Sequence, residues 1–112
     1  MRKGTKMRDE LWVVKAGSQM VISGGPLLIR HWMRQVVELR RRHRIRVIWV
    51  TSGAIATARI KLRKPFSKTM AEKQALSAIG QPLVIDAYNL ALQTLGHTGA
   101  QILLTYDDIH NR

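Results

Sequence analysis

The apolar positions of this chain change their spacing several times, and each change predicts an element. Leu11-Trp12-Val13-Val14 is an unbroken apolar run with β-branched residues, closed by Lys15-Ala16-Gly17-Ser18; it predicts a buried strand leading into a loop. Ser23-Gly24-Gly25-Pro26 is turn chemistry, and Pro26, with its φ fixed and no N–H to satisfy, is placed to open a helix. Ile29, Trp32, Val36 and Leu39 then recur at helical spacing, with Arg30, Arg34, Glu38 and Arg41 off that stripe, which predicts an amphipathic helix. Ile45, Val47, Ile48, Trp49 and Val50 predict the clearest strand, ending at Thr51-Ser52-Gly53. Ala54, Ala56 and Ala58 favour a short helix over 54–62, which Pro65 stops ahead of a polar loop over 63–68. From Thr69 to Leu95 the pattern is helical again, and Pro82 inside it predicts two helices or one kinked helix. Leu83, Ala87, Leu90 and Ala91 form the apolar face of its second part, and Gly96 is the stop. Ala100-Gln101-Ile102-Leu103-Leu104-Thr105 predicts a last strand.

The order strand, helix, strand, helices, strand leaves each connection long enough for a crossover, so an α/β fold with a parallel sheet follows. Continuous apolar runs suit strands buried on both faces. In such sheets ligands bind beyond the carboxyl ends of the strands, which here are Lys15-Ala16-Gly17-Ser18, Thr51-Ser52-Gly53-Ala54 and Thr105-Tyr106-Asp107-Asp108. At the first end, Gly17 lets backbone approach an anion, neighbouring N–H groups cradle phosphate oxygens, and Lys15 supplies a point charge. The spacing is not the Walker A pattern, and a solvated lysine beside a turn glycine also accounts for it. At the second end, Ser52 is either the N-cap of the following helix or part of an anion site at that helix start. Asp107-Asp108 reads most simply as a solvated pair, and His31, His43, His97 and His110 are too scattered to predict a metal site.

Composition narrows the partners rather than the fold. With 112 residues, 46% of them hydrophobic, the chain is one domain or part of one and not a disordered tail. Lys and Arg number 19 against 7 Asp and Glu, and the net charge of +12 invites anionic partners. The cations gather in Arg2, Lys3, Lys6 and Arg8, in Arg40 to Arg46, and in Arg59 to Lys68. Only Phe66 among the aromatics lies inside a basic run, so base stacking has little to build on, and solvated helix ends and loops explain most of the charge. The absence of Cys excludes disulfides, Cys-type zinc sites and a thiol nucleophile, and suits a cytoplasmic setting. No apolar run approaches the roughly 20 residues of a membrane span, and no apolar segment of a secretion signal follows the basic N-terminus. A thin sheet with an open edge predicts a homo-oligomer.

Four segments together carry a resemblance. Trp12-Val13-Val14-Lys15-Ala16-Gly17-Ser18, Val50-Thr51-Ser52-Gly53-Ala54-Ile55-Ala56, Glu72-Lys73-Gln74-Ala75-Leu76-Ser77-Ala78-Ile79-Gly80-Gln81 and Gln101-Ile102-Leu103-Leu104-Thr105 resemble, in that order, the amino-acid kinase family. The second and third are the more specific and resemble its glutamate 5-kinase branch. The similarity runs from about Leu11 to Ile109. It implies a partial amino-acid-kinase-like three-layer sandwich, with a mainly parallel sheet and crossover helices. Residues 1–10 would be a basic arm and 11–112 the N-terminal half of a kinase domain.

The resemblance also implies ATP-dependent transfer of the γ-phosphoryl group to the side-chain carboxylate of L-glutamate, in proline biosynthesis, with Mg2+ carried by the nucleotide. By position in the family pattern, Lys15 matches the catalytic lysine at the ATP phosphates, Gly17 and Ser18 its phosphate loop, and Ser52 the serine that holds glutamate. Gly53 and Ala54 belong to that second loop, whose N–H groups face the reacting carboxylate. Gln19 stands where a small hydroxyl residue is usual, Ala58 where a glycine is common, and Arg40 to Arg46 lacks the usual glycine between helix and strand. The family's Asn-Glu-Asn-Asp-like stretch, Asp-rich nucleotide segment and second catalytic lysine have no match here, so the expectation is a truncated kinase without its nucleotide-binding half. The alternative is a non-catalytic basic half-domain binding a polyanion such as nucleic acid, or a protein partner.

Overall fold

The computed structural model describes residues 8–64 and 69–102. Strand β1 (Glu10–Ala16), helix α1 (Ser18–His43), strand β2 (Ile45–Thr51), helix α2 (Ala54–Leu62) and helix α3 (Met70–Thr94) follow one another in that order. The two strands pair in parallel, from Glu10 beside Ile45 to Ala16 beside Thr51, with α1 as the crossover between them. The α/β architecture with a parallel sheet and crossover helix is therefore as the sequence predicts. The expected third strand is not formed at Ala100, Gln101 and Ile102, and Leu103 to Thr105 lie outside the described residues, as do Phe66 and Tyr106 to Arg112.

Alternation along the strands sorts the sheet into two unlike faces. Ala16 and Ile45 are buried, and Val14, Val47, Trp49 and Thr51 half-buried, on the face that α1 and α3 cover. Trp49 there meets Trp32 of α1 at 5.3 Å between ring centroids and Tyr88 of α3 at 6.1 Å. These rings join a core of Ala16, Val21, Ile29, Met33, Val84, Tyr88 and Ala91. The opposite face presents Leu11, Val13, Ile48 and Val50, exposed by 54%, 67%, 51% and 43%. Among the described residues nothing covers it.

Helix α1 starts earlier than Pro26. It begins at Ser18 and is broken at Gly25, whose φ of 59° and ψ of −159° leave the helical region. The expected turn at Ser23 to Pro26 is thus a kink between two helical stretches. Its buried stripe is Val21, Ile29, Met33 and Val37, displaced from the one the sequence suggested, while Trp32 and Val36 are half-buried. Arg40, Arg41, Arg42 and His43 fill its last turn, where the helix dipole favours cations. Arg44 then takes the left-handed cap position, with φ 57° and its N–H on the Leu39 carbonyl. An arginine holds the place where a glycine would adopt that backbone without strain.

Helix α2 has the predicted bounds and ends in a second left-handed arginine, Arg63, at φ 56°. Helix α3 is capped by Thr69, whose Oγ1 accepts the Glu72 N–H at 3.1 Å. It runs through Pro82 as a single helix instead of two. Pro82 and Ala78, whose carbonyl loses its i+4 donor to the proline, are both exposed, so solvent can supply the missing hydrogen bond. Its buried stripe is Leu76, Gly80, Val84, Tyr88 and Ala91. Of the predicted face, Ala91 is buried, Leu83 and Ala87 are half-buried, and Leu90 is 63% exposed. Among the described residues no helix is long and apolar enough to cross a membrane.

Candidate functional site

The parallel register brings the carboxyl ends of β1 and β2 side by side. Lys15 lies opposite Val50 and Ala16 opposite Thr51, and the Ser52 N–H donates to the Ala16 carbonyl at 3.0 Å. Lys15 is a strand residue, not a loop residue, and by alternation it shares the open face with Leu11 and Val13. Its side chain is exposed. Gly17 is the N-cap of α1, with extended backbone (φ −73°, ψ 156°), and its carbonyl accepts the Val21 N–H at 3.1 Å. A Cβ on Gly17 would meet nothing within 4 Å, so open space lies beside the loop. Ser18 opens α1, which makes the first loop a helix N-terminus; the sequence alone did not show that.

The second loop is built the same way. Gly53, not Ser52, caps α2, at φ 107°, and its carbonyl accepts the Thr57 N–H at 2.8 Å. The expected capping by Ser52 is therefore replaced by a glycine turn: the chain must swing through a positive φ to enter α2, and glycine does so without strain. No side chain caps α2, so the half-buried Ser52 hydroxyl is not engaged there. Ala54 is the first residue of α2.

The two loops touch. A Cβ on Gly53 would lie 3.3 Å from Val21 Cγ1 and 3.7 Å from Ser18 Cα. Two helix N-termini thus converge on one strand end, and neither α1 nor α2 carries an acidic residue in its first turn. The unpaired N–H groups at each start carry partial positive charge. Lys15 adds a full one. The chemistry available is the holding of anions, and of two anions close together.

Lys15, Gly17, Ser18, Ser52, Gly53 and Ala54 are therefore brought to one place. The third expected strand end, Asp107-Asp108, lies outside the described residues. Among the described residues no three His, Cys, Asp or Glu gather where a metal would sit. A cleft of about 350 Å³ opens beside Lys15 and Gly17, but Trp12, Trp32, Val36 and Trp49 wall it, and that apolar lining does not suit a triphosphate. Sequence reasoning missed Thr51, Gly80 and Tyr88, which frame the second loop. Gly80 lay inside a matched segment and Tyr88 was a lone polar residue among apolar ones, but neither signal shows the contact each makes.

Comparison with known proteins places this geometry. The amino acid kinase family profile matches residues 10–112. A glutamate 5-kinase of Trichlorobacter lovleyi is 40% identical over 116 residues, covering 100% of this chain and 31% of that protein. One from Geobacter sulfurreducens is 40% identical over 119 residues with the same coverage, and one from Ectopseudomonas mendocina 36% over 118 residues, covering 95% and 31%. The chain spans about a third of the length of these curated relatives. With the family profile covering nearly every residue and the two matched loops meeting at one strand end, the chain belongs to the amino acid kinase family.

Proposed function

We propose that this chain carries the phosphate loop and the carboxylate loop of an ATP-dependent glutamate 5-kinase. The observation that carries the reading is the contact between the Lys15–Ser18 and Thr51–Ala54 loops at two adjacent helix N-termini. One loop would take the ATP phosphates and the other the side-chain carboxylate of L-glutamate. A carboxylate oxygen attacks the γ-phosphorus, the bond to the β–γ bridging oxygen breaks, and ADP leaves; the product is an acyl phosphate, and no proton need move. Catalysis of this kind is positioning and charge neutralisation. Lys15 neutralises the transferring group, Gly17 and Ser18 hold phosphate oxygens through backbone and hydroxyl, Ser52 binds glutamate, and the Gly53 and Ala54 N–H groups face its carboxylate. Mg2+ arrives on the nucleotide. The similarity to glutamate 5-kinases supports the substrate pair, and the cytoplasmic setting and proline biosynthesis belong to the same reading.

The test is a hydroxylamine-trapped assay for acyl phosphate with Mg-ATP and L-glutamate. Lys15→Ala should lower the trapped product by about a hundredfold or more, as loss of one oxyanion-stabilising group does elsewhere. Equal product from both proteins would sink the assignment.

One observation favours a second reading. Arg40, Arg41, Arg42, Arg44 and Arg46 are all exposed at the opposite end of the sheet from the two loops, with Glu38 and Asp9 as the carboxylates paired to Arg42 and Arg44. A polyanion would fit that end. Release from heparin at low salt would argue against it, because phosphate contacts make binding steeply salt-dependent.

A further inference from the structure

We propose that helix α3 sets the position of the carboxylate loop, with Tyr88 and Thr51 as positioning residues and Gly80 as the contact that brings the helix close. This deepens the reading above and rests on its assignment of residues 51–54 to glutamate.

Tyr88 is buried on the core side of α3, yet its hydroxyl is fully used. Trp49 Nε1 donates to it at 2.9 Å, and it bonds Thr51 Oγ1 at 2.8 Å. Thr51 Oγ1 in turn donates to the Ser52 carbonyl at 3.2 Å. An indole nitrogen only donates, and each hydroxyl has one proton. The three bonds coexist in one arrangement: Trp49 to Tyr88, Tyr88 to Thr51, Thr51 to Ser52. A single directed chain therefore runs from strand β2 through α3 to the backbone of the residue assigned to glutamate.

Eight residues earlier on the same helix, Gly80 rests on the carbonyl of Ala54. A Cβ there would overlap that oxygen and lie 2.5 Å from its carbon and 3.1 Å from Ala54 Cα. Helix α3 thus grips the loop at both ends, at Thr51 and at Ala54. Between them the Ser52 N–H is held by Ala16 and the Gly53 carbonyl by Thr57. What is left for substrate is the Ser52 hydroxyl and the N–H groups that open α2. Geometry held this tightly is what a site needs when an error of about 1 Å in placing the reacting group costs rate.

The experiment compares Tyr88→Phe, Thr51→Val and Thr51→Ser with the unsubstituted chain by amide hydrogen exchange and by calorimetric titration of L-glutamate and of ATP. Tyr88→Phe and Thr51→Val should speed exchange at the Ser52 amide about fivefold, the effect of losing one net hydrogen bond, while the β1–β2 ladder keeps its protection. Glutamate affinity should fall by a similar factor, ATP affinity should hold, and Thr51→Ser should restore both. Unchanged exchange at Ser52, exchange raised equally throughout the domain, or Thr51→Ser behaving as Thr51→Val would each overturn the proposal. If Tyr88→Phe fails to fold, the two Thr51 variants decide alone. If the unsubstituted chain binds no glutamate but the exchange pattern holds, the glutamate reading falls and the positioning by α3 stands.

Discussion

Gly80→Ala sets two physical rules against each other. Inside an exposed helix the change would stabilise by about 1 kcal/mol, because alanine loses less backbone entropy than glycine. Gly80 is buried against backbone, however, and the added Cβ would sit 2.5 Å from the Ala54 carbonyl carbon. The Cβ would also overlap the Ala54 carbonyl oxygen, and non-bonded heavy atoms rest beyond about 3 Å, so α3 would have to withdraw from α2 by about 1.5 Å. A backbone carbonyl cannot rotate away as a side chain can, so the upper end of the overpacking range applies, about 3 kcal/mol. The difference is a net loss of about 2 kcal/mol, or about 10 °C in melting temperature for a domain of this size. Thermal unfolding followed by far-UV circular dichroism measures it. Ala78→Gly, on the exposed side of the same helix, is the control and should lose about 1 kcal/mol. A Gly80→Ala protein that melts at or above the parent temperature would refute the packing of α3 on Ala54.

Gly53→Ala should cost about 1–2 kcal/mol in urea unfolding, since φ 107° strains any L side chain and the new Cβ meets Val21 at 3.3 Å; an unshifted midpoint would count against that backbone. Arg63→Gly should raise stability by about 1 kcal/mol by relieving a left-handed arginine, and Arg44→Gly by less because its ion pair to Asp9 is lost; a fall in both would show that the caps are not strained. If the unsubstituted chain self-associates through the uncovered sheet face, Val13→Lys with Ile48→Lys should lower its mass by light scattering; a monomeric parent, or a mass unaffected by the pair, would refute association through that face.

Much of this was legible in the sequence because it depends on local pattern. The runs at Leu11 to Val14 and Ile45 to Val50 have no helical period, and both are strands. The alanine-rich stretch before Arg63 gave α2 its bounds. The errors fall where tertiary contact overrides local preference. At Pro82 the sequence left one helix or two open, and one helix forms because its proline face is solvated and α3 is held on its other side by Leu76, Gly80 and Val84. Ser18 to Gly24 is helical although Gly24 and Gly25 weigh against it, because Val21 is buried under Gly53. At the site, the residue types at Lys15 to Ser18 and Ser52 to Ala54 were legible, but their contact was not. That needs the parallel register, which no spacing within either loop encodes. Tyr88 shows the same limit, for its bond to Thr51 spans 37 positions.

The open face of the sheet ties stability to chemistry. Lys15 projects from the same side as Leu11, Val13, Ile48 and Val50. A lysine about 4 Å from a phosphate oxygen contributes about 1 kcal/mol in bulk water but about 4 kcal/mol where the effective dielectric constant is near 20. The backbone donors of the two loops gain in the same way when water is excluded, and they need not reorganise to do so. Each half-exposed aliphatic side chain on that face also gains from cover, at about 25 cal/mol per Å² of apolar surface removed from water. Covering this face would therefore do two things at once: bury the apolar residues that the sheet leaves in solvent and strengthen any contact Lys15 makes with an anion. Lys15 on an apolar face is thus not a misplaced charge. Its neighbours are the residues that gain from cover, and cover is the condition under which its charge counts most.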